Sequence, residues 1–322
     1  MQWFSSFKPL KIVYLGSGDI GLPTLRALLG STHEIAAVVT QPDRPVGRHQ
    51  TLAPGHIKTL ALAAGIPVLQ PERIRRPEAV DALRAFGADV FVVFAYGQIL
   101  PPAVLDAPRL ACLNLHASLL PKYRGAAPIQ AAVLAGDPES GLTVMYMDVG
   151  LDTGDILREH RLRIRRRETA GSLHDRLANL APAALLAALD DLANGKAPRL
   201  PQDHALATHA PKLERESGRI DWTRDHVSLD RFVRGLHPWP GAWTTLPASP
   251  RPLILKVHSA LPMRRLMGAP GEIVGQSARG ALVAAGGGGG LLLREVQLEG
   301  KRRLPATEFA RGHAFPPGGR LG

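Results

Sequence analysis

Lys11-Ile-Val-Tyr-Leu-Gly16-Ser-Gly18-Asp-Ile-Gly21-Leu-Pro23 reads as a strand, a glycine turn and the start of a helix. An apolar run covers Lys11–Leu15, and Pro23 fits a first helical turn, which predicts a helix over Leu22–Leu29. Outward from this unit the alternation repeats. Ile35–Val39 is a second strand and Ile57–Ala64 a second helix. Asp89-Val-Phe-Val-Val-Phe94 is the most apolar run of the chain, the pattern of a central strand covered on both faces. Leu110–Leu115 and Leu142–Met147 continue the series, with a helix at Ile129–Leu134 between them. The first half is therefore α/β, a mostly parallel sheet flanked by helices.

Ser172–Ala193 reads as a long helix, with Ser172-x-x-Asp175 as a capping box and Gly195 as its stop. Pro182 predicts a kink there, or a division into two helices. After Gly195 the texture changes. Residues 196–212 are rich in Pro and Ala and read as a linker. Short apolar runs at Ile254–His258, Gly271–Val274, Ala281–Ala284 and Leu291–Val296 then predict a small β-barrel. The five glycines of Gly286–Gly290 read as a loosely held hairpin tip.

Gly16-x-Gly18-x-x-Gly21 has the spacing of a dinucleotide fingerprint. The acid that should hold a ribose hydroxyl is absent from Val38-Val-Thr-Gln41, so the glycines are expected to serve the turn itself. Composition narrows the field further. One cysteine, Cys112, excludes an internal disulfide framework and a cysteine zinc cluster. There is no His-Glu-x-x-His helix, and no metal is expected. Apolar runs fall short of a membrane span, and Met1–Lys8 lacks the apolar core of a signal peptide, so a cytoplasmic chain is expected. The 39 basic residues, 31 of them arginine, against 28 acidic ones leave a formal charge of +11. Residues 201–322 hold 17 basic and 10 acidic side chains, so the smaller part carries most of the excess. Either an anionic partner or an arginine-favouring genome produces such a balance.

The candidate chemistry lies between Asn114 and Asp155. Asn114-Leu-His116 sets two polar side chains on one side of a strand end, where open α/β sheets bind ligands. The histidine can shuttle a proton or simply be a satisfied structural residue. The Asn amide can donate to an oxyanion. Gly150-Leu-Asp152-Thr-Gly-Asp155 offers a carboxylate to orient that imidazole, or merely a solvated turn.

Taken together, Asn114-Leu-His116-Ala-Ser-Leu-Leu-Pro121 and Tyr123-Arg-Gly-Ala-Ala-Pro-Ile-Gln130 resemble the signature of the folate-dependent formyltransferases, in the form found in the methionyl-tRNA branch. Met147–Asp155 is similar to the second active-site segment of that family. Thr40-Gln-Pro-Asp-Arg44-Pro-x-Gly-Arg48 resembles its tRNA-meeting loop. Ala210-Pro-Lys212-Leu, Arg219-Ile-Asp-Trp222 and Pro238-Trp-Pro240 resemble its linker and second-domain markers. The resemblance implies a Rossmann-like formyltransferase domain over 9–195, a linker over 196–212 and an OB-like C-terminal β-barrel over 213–320. It implies transfer of a formyl group from 10-formyltetrahydrofolate, a cosubstrate rather than a bound group, to initiator methionyl-tRNA by a monomer. Asn114, His116 and Asp152 fall on its catalytic positions. Ser118, Leu119, Leu120 and Pro121 fall on the folate stretch, with Tyr96, Gly97, Gln98, Ile99 and Leu100 walling the pterin pocket. Arg44, Arg48 and Lys212 are the implied tRNA contacts. The chain departs from the family in its Gly16-Ser-Gly18 turn and in His49-Gln50, where lysines are usual. The rivals are a formyltransferase for an amino sugar or nucleotide-precursor amine, an NAD-linked dehydrogenase and an RNA-binding module.

Overall fold

The computed structural model describes residues 8–46, 51–248, 251–312, 315 and 317–322. They form two units. The first takes in residues up to Pro128, Glu139–Arg163 and His174–Ala210; the second takes in Ile129–Pro138, Ile164–Leu173 and Pro211–Gly322.

A seven-stranded sheet organises the first unit, in the order Ile156–Arg163, Glu139–Tyr146, Ala111–His116, Val90–Phe94, Lys11–Gly16, Glu34–Val39, Val68–Leu69. The last five run parallel, and the two at the other edge are antiparallel. Every residue of Val90–Phe94 is buried, as its unbroken apolar run requires. The strand order reverses between Lys11–Gly16 and Val90–Phe94. Three loops therefore leave neighbouring carboxyl ends there: the glycine turn, Ala95–Leu100 and Ala117–Pro121. The edge strand Ile156–Arg163 is mostly charged, with Ile156, Leu157 and Leu162 its only apolar residues, and carries no apolar run by which to see it in the sequence.

The glycine turn is shaped by packing. A Cβ on Gly21 would lie 2.1 Å from the Tyr14 hydroxyl oxygen, and one on Gly16 would lie 2.8 Å from the Phe94 carbonyl oxygen. The amides of Ser17 and Gly18 both donate to the Ala95 carbonyl at 3.2 Å, which occupies groups that a pyrophosphate would need. The turn reading of the fingerprint stands.

One 24-residue helix, Ala170–Ala193, runs through Pro182, so the division into two helices does not occur. Buried Leu177, Ala181, Leu185, Ala188 and Leu189 hold it. Each buried leucine is worth about 1.5–3 kcal/mol, against roughly 3 kcal/mol for an interior proline. The capping box lies three residues upstream of its expected place. The Thr169 amide donates to Ser172 Oγ, and the Ser172 amide donates to Thr169 Oγ1.

The second unit is a six-stranded antiparallel sheet around one core. Its path runs Ala242–Leu246, Leu253–Met263, Gly290–Leu298, Gly280–Ala284, Ile273–Ser277, with Leu304–Pro305 beside Gly290–Leu298. The helix His226–Gly235 packs Leu229 and Val233 into that core. Residues 129–138 and 164–173 join it. Asp230, 7% exposed, pairs with Arg167 and with Arg234, and Gly235 lies against Leu134 where a Cβ would not fit.

The Gly286–Gly290 stretch is a packed turn, contrary to the loosely held tip expected from its composition. The Gly286 amide donates to the Trp222 carbonyl, and the Ala285 amide to the Gly289 carbonyl. Gly287 and Gly288 are left-handed, at φ 73° and 74°. A Cβ on Gly286 would lie 1.8 Å from the Thr223 carbonyl oxygen. Glycine is required twice over there, for handedness and for clearance.

Candidate active site

Asn114 and His116 end a parallel strand whose neighbours are Val90–Phe94 and the antiparallel Glu139–Tyr146. With period two, both side chains leave the same face. His116 is 5% exposed. Its Nε2 lies 2.9 Å from the Tyr123 carbonyl oxygen, and because that oxygen only accepts, Nε2 carries the hydrogen. In the neutral ring Nδ1 is thus the free base. It faces Asp152 Oδ2 at 3.6 Å, within ion-pair distance. Asp152 Oδ2 also accepts the Gly125 amide at 2.8 Å. The side-chain amide of the half-buried Asn114 makes no hydrogen bond among the described residues.

Backbone strain collects at the same place. Among the described residues the left-handed non-glycine positions are Ala95, Tyr123 and Asp152, at φ 51°, 60° and 53°. Each costs on the order of 1–3 kcal/mol and persists only where surroundings impose it. The first follows the central strand; the other two present the carbonyl and the carboxylate that face His116.

The loop Ser118–Pro121 is pinned rather than open. Ser118 Oγ donates to the Lys122 carbonyl at 2.6 Å, and Thr143 Oγ1 bridges the Ser118 carbonyl and the Leu120 amide. Leu120 is buried, and Leu119 packs on Gly141. In the other candidate donor loop, Gln98 braces the backbone of Pro71, Glu72 and Ile74, so its side chain is committed to structure. Tyr96 is buried, its hydroxyl has no hydrogen-bond partner among the described residues, and burial pushes the phenol up to about 12. A buried hydroxyl without a partner beside the strand ends suits a polar ligand. Gly97 is left-handed at φ 88°, Leu100 is buried and Ile99 is exposed.

Arg44 is exposed on the hairpin formed by Arg44–Val46 and Thr51–Ala53. Arg48, with His49 and Gln50, lies outside the described residues. At the hairpin base Lys58 and Gln70 bind Asp43, and these hydrogen bonds, Lys58's first, hold its carboxyl below the usual carboxylate range. Gln41 Nε2 donates to the Tyr96 carbonyl, tying this base to the Tyr96 loop. Lys212 is exposed on the second unit.

Sequence reasoning gave no role to Arg124, Thr143 or Gln202, all buried here. Residues 208–210 run beside 121–127. Thr208 Oγ1 accepts the Tyr123 amide, the Thr208 carbonyl accepts the Arg124 amide, and the Ala210 carbonyl accepts the amides of Ala126 and Ala127. Residues 208–210 of the expected linker are thus hydrogen-bonded to the segment that carries the Tyr123 carbonyl and the Gly125 amide.

The formyl transferase family model matches residues 10–189, and the model of the formyl transferase C-terminal domain matches residues 212–314. Methionyl-tRNA formyltransferase of Methylacidiphilum infernorum is 46% identical over 314 residues, covering 97% of this chain and 98% of its own. The enzyme of that name from Pseudomonas fluorescens SBW25 is 49% identical over 317 residues, covering 98% of each. The chain belongs to the methionyl-tRNA formyltransferase family. It is an enzyme, a formyl transferase, and the NAD-linked reading is set aside. Solved structures share the family fold at lower identity. HypX from Aquifex aeolicus, crystallised with tetrahydrofolic acid, matches with a TM-score of 0.65 at 17% identity over 94% of this chain. The match spans about half of HypX, 47%. WlaRD, a sugar 3N-formyl transferase crystallised in the presence of dTDP and 5-N-formyl-THF, matches at 0.65 and 16% identity over 92% of this chain and all of its own. Among the described residues no helix is long and apolar enough to cross a membrane.

Proposed function

We propose that this chain transfers the formyl group of 10-formyltetrahydrofolate to the α-amino group of methionine on initiator methionyl-tRNA, giving N-formylmethionyl-tRNA for translation initiation. The observation that carries the reading is the His116 Nδ1 facing Asp152, with His116 on the strand that also carries Asn114, whose side-chain amide makes no hydrogen bond among the described residues, in a chain whose near full-length relatives bear that enzyme's name. The attacking methionyl nitrogen forms a bond to the formyl carbon, whose oxygen becomes an oxyanion. Asn114 donates to that oxyanion, a contribution of about 3–4 kcal/mol for one such donor. His116 Nδ1 takes the proton from the now cationic nitrogen, and Asp152 stabilises the charged ring. His116 then gives this proton to the folate N10 as its bond to the formyl carbon breaks.

Tyr96–Leu100 and Ser118–Pro121 are assigned to the donor, the first through the Tyr96 hydroxyl and the second as a rigid backbone wall. Arg44, Arg48 and Lys212 are assigned to tRNA. The same reading takes the enzyme as a cytoplasmic monomer. Its division into 9–195, 196–212 and 213–320 leaves the middle stretch with more to do than connect. A formylation assay with charged initiator tRNA and 10-formyltetrahydrofolate, run beside dTDP-amino-sugar acceptors, tests the reading. Product on the tRNA alone is expected; formylation of the sugar in preference would overturn it.

A further inference from the structure

Arg124 stands between the two backbone groups that hold the His116–Asp152 pair. The residue before it supplies the carbonyl that accepts from His116 Nε2, and the residue after it supplies the amide that donates to Asp152 Oδ2. Arg124 itself is 5% exposed. A buried arginine ordinarily meets a carboxylate. Here its guanidinium meets an amide. Nε and Nη2 donate to Gln202 Oε1 at 3.2 and 2.6 Å, and Nη2 lies 3.1 Å from His204 Nδ1. The other end of the same amide, Gln202 Nε2, donates to the carbonyls of Asp152 at 2.9 Å and Gly154 at 2.7 Å.

The orientation of that amide follows from its partners. Guanidinium only donates and carbonyls only accept, so oxygen must face Arg124 and nitrogen must face the Asp152 loop. No other side chain of this length meets both demands. Glutamate would accept from Arg124 but could not donate to the carbonyls, and methionine would do neither. The contacts close a ring: His116 to Tyr123, Arg124 to Gln202, Gln202 to the Asp152 backbone, and Asp152 back to His116. They also brace the backbone at Asp152, which is left-handed at φ 53°.

We propose that Gln202, acting through Arg124 and the Asp152–Gly154 backbone, is a positioning residue that sets the geometry between the His116 imidazole and the Asp152 carboxylate. The inference rests on the proposed formyl transfer for its kinetic readout, and its second readout does not need that reaction.

The test uses the full chain as wild type, Gln202→Glu and Gln202→Met. Steady-state kinetics with initiator methionyl-tRNA and 10-formyltetrahydrofolate give kcat and KM. Ring-nitrogen NMR, with the His116 signal identified by its loss in His116→Gln, gives the tautomer and its hydrogen bonding. Both Gln202 variants are expected to lose kcat by about 10–100-fold, the usual effect of removing an outer hydrogen-bond partner. KM for both substrates should hold, and the His116 ring signals should move toward a tautomer mixture. Gln202→Glu preserves volume and the partner of Arg124, so it decides the matter if the methionine variant fails to fold. A folded Gln202→Glu enzyme with wild-type kcat, a loss confined to KM, or unmoved His116 signals would each overturn the proposal. If the wild type forms no formylmethionyl-tRNA, the formyl-transfer reading falls, while shifted His116 signals in the variants still support the positioning role.

Discussion

His116 has one ring nitrogen committed to a backbone carbonyl and one free to take a proton, and that asymmetry is imposed by Tyr123 rather than by the histidine itself. Removing the proposed base by His116→Ala should lower kcat about 10²–10⁴-fold, the range of general acid–base help, with the melting temperature nearly unchanged. Asp152→Asn isolates charge from backbone, because asparagine tolerates a left-handed φ and still accepts the Gly125 amide. It should reduce kcat strongly without unfolding; an Asp152→Asn enzyme of near wild-type turnover would remove the electrostatic role. Asn114, His116 and Asp152 were legible because each lies in a short glycine- or strand-bounded motif. Gln202 was not. Its partners Arg124 and Gly154 lie 78 and 48 positions away, and a lone glutamine in a Pro- and Ala-rich stretch carries no local signal.

At the scale of elements, strands with unbroken apolar runs were placed within a residue or two, since burial on both faces leaves a compositional mark. The edge strand Ile156–Arg163 and the helix His226–Gly235 left weaker marks, because half of each faces water. The glycine run shows the opposite failure, in which uniform composition hides positions under different constraints. Gly286→Ala sets a methyl against the Thr223 carbonyl, whereas Gly288→Ala meets open space and bears only the left-handed penalty of about 1–2 kcal/mol. Chemical denaturation should therefore show Gly286→Ala as the more destabilising of the two, by a clear margin. Equal losses would mean that the turn is held by handedness alone.

Across the whole molecule the charge of +11 can be assigned a test. If arginine forks neutralise about six phosphates, tRNA affinity should fall on the order of 10³-fold between roughly 50 and 200 mM salt. Filter binding across that range would show it, and a flat response would leave the excess to genome composition. The parallel pairing of His209–Ala210 with Arg124–Gly125 bears on a different matter, the modularity of the fold. The matched family segments end at 189 and resume at 212, which makes the interval look like a natural crossover point for chimaeras. A graft cut at its upstream end would inherit every motif residue of the site and still arrive without Gln202, Thr208 and Ala210. In this architecture the exchangeable unit closes at Ala210, and recombination upstream of that residue separates the proposed catalytic motif from its own scaffold.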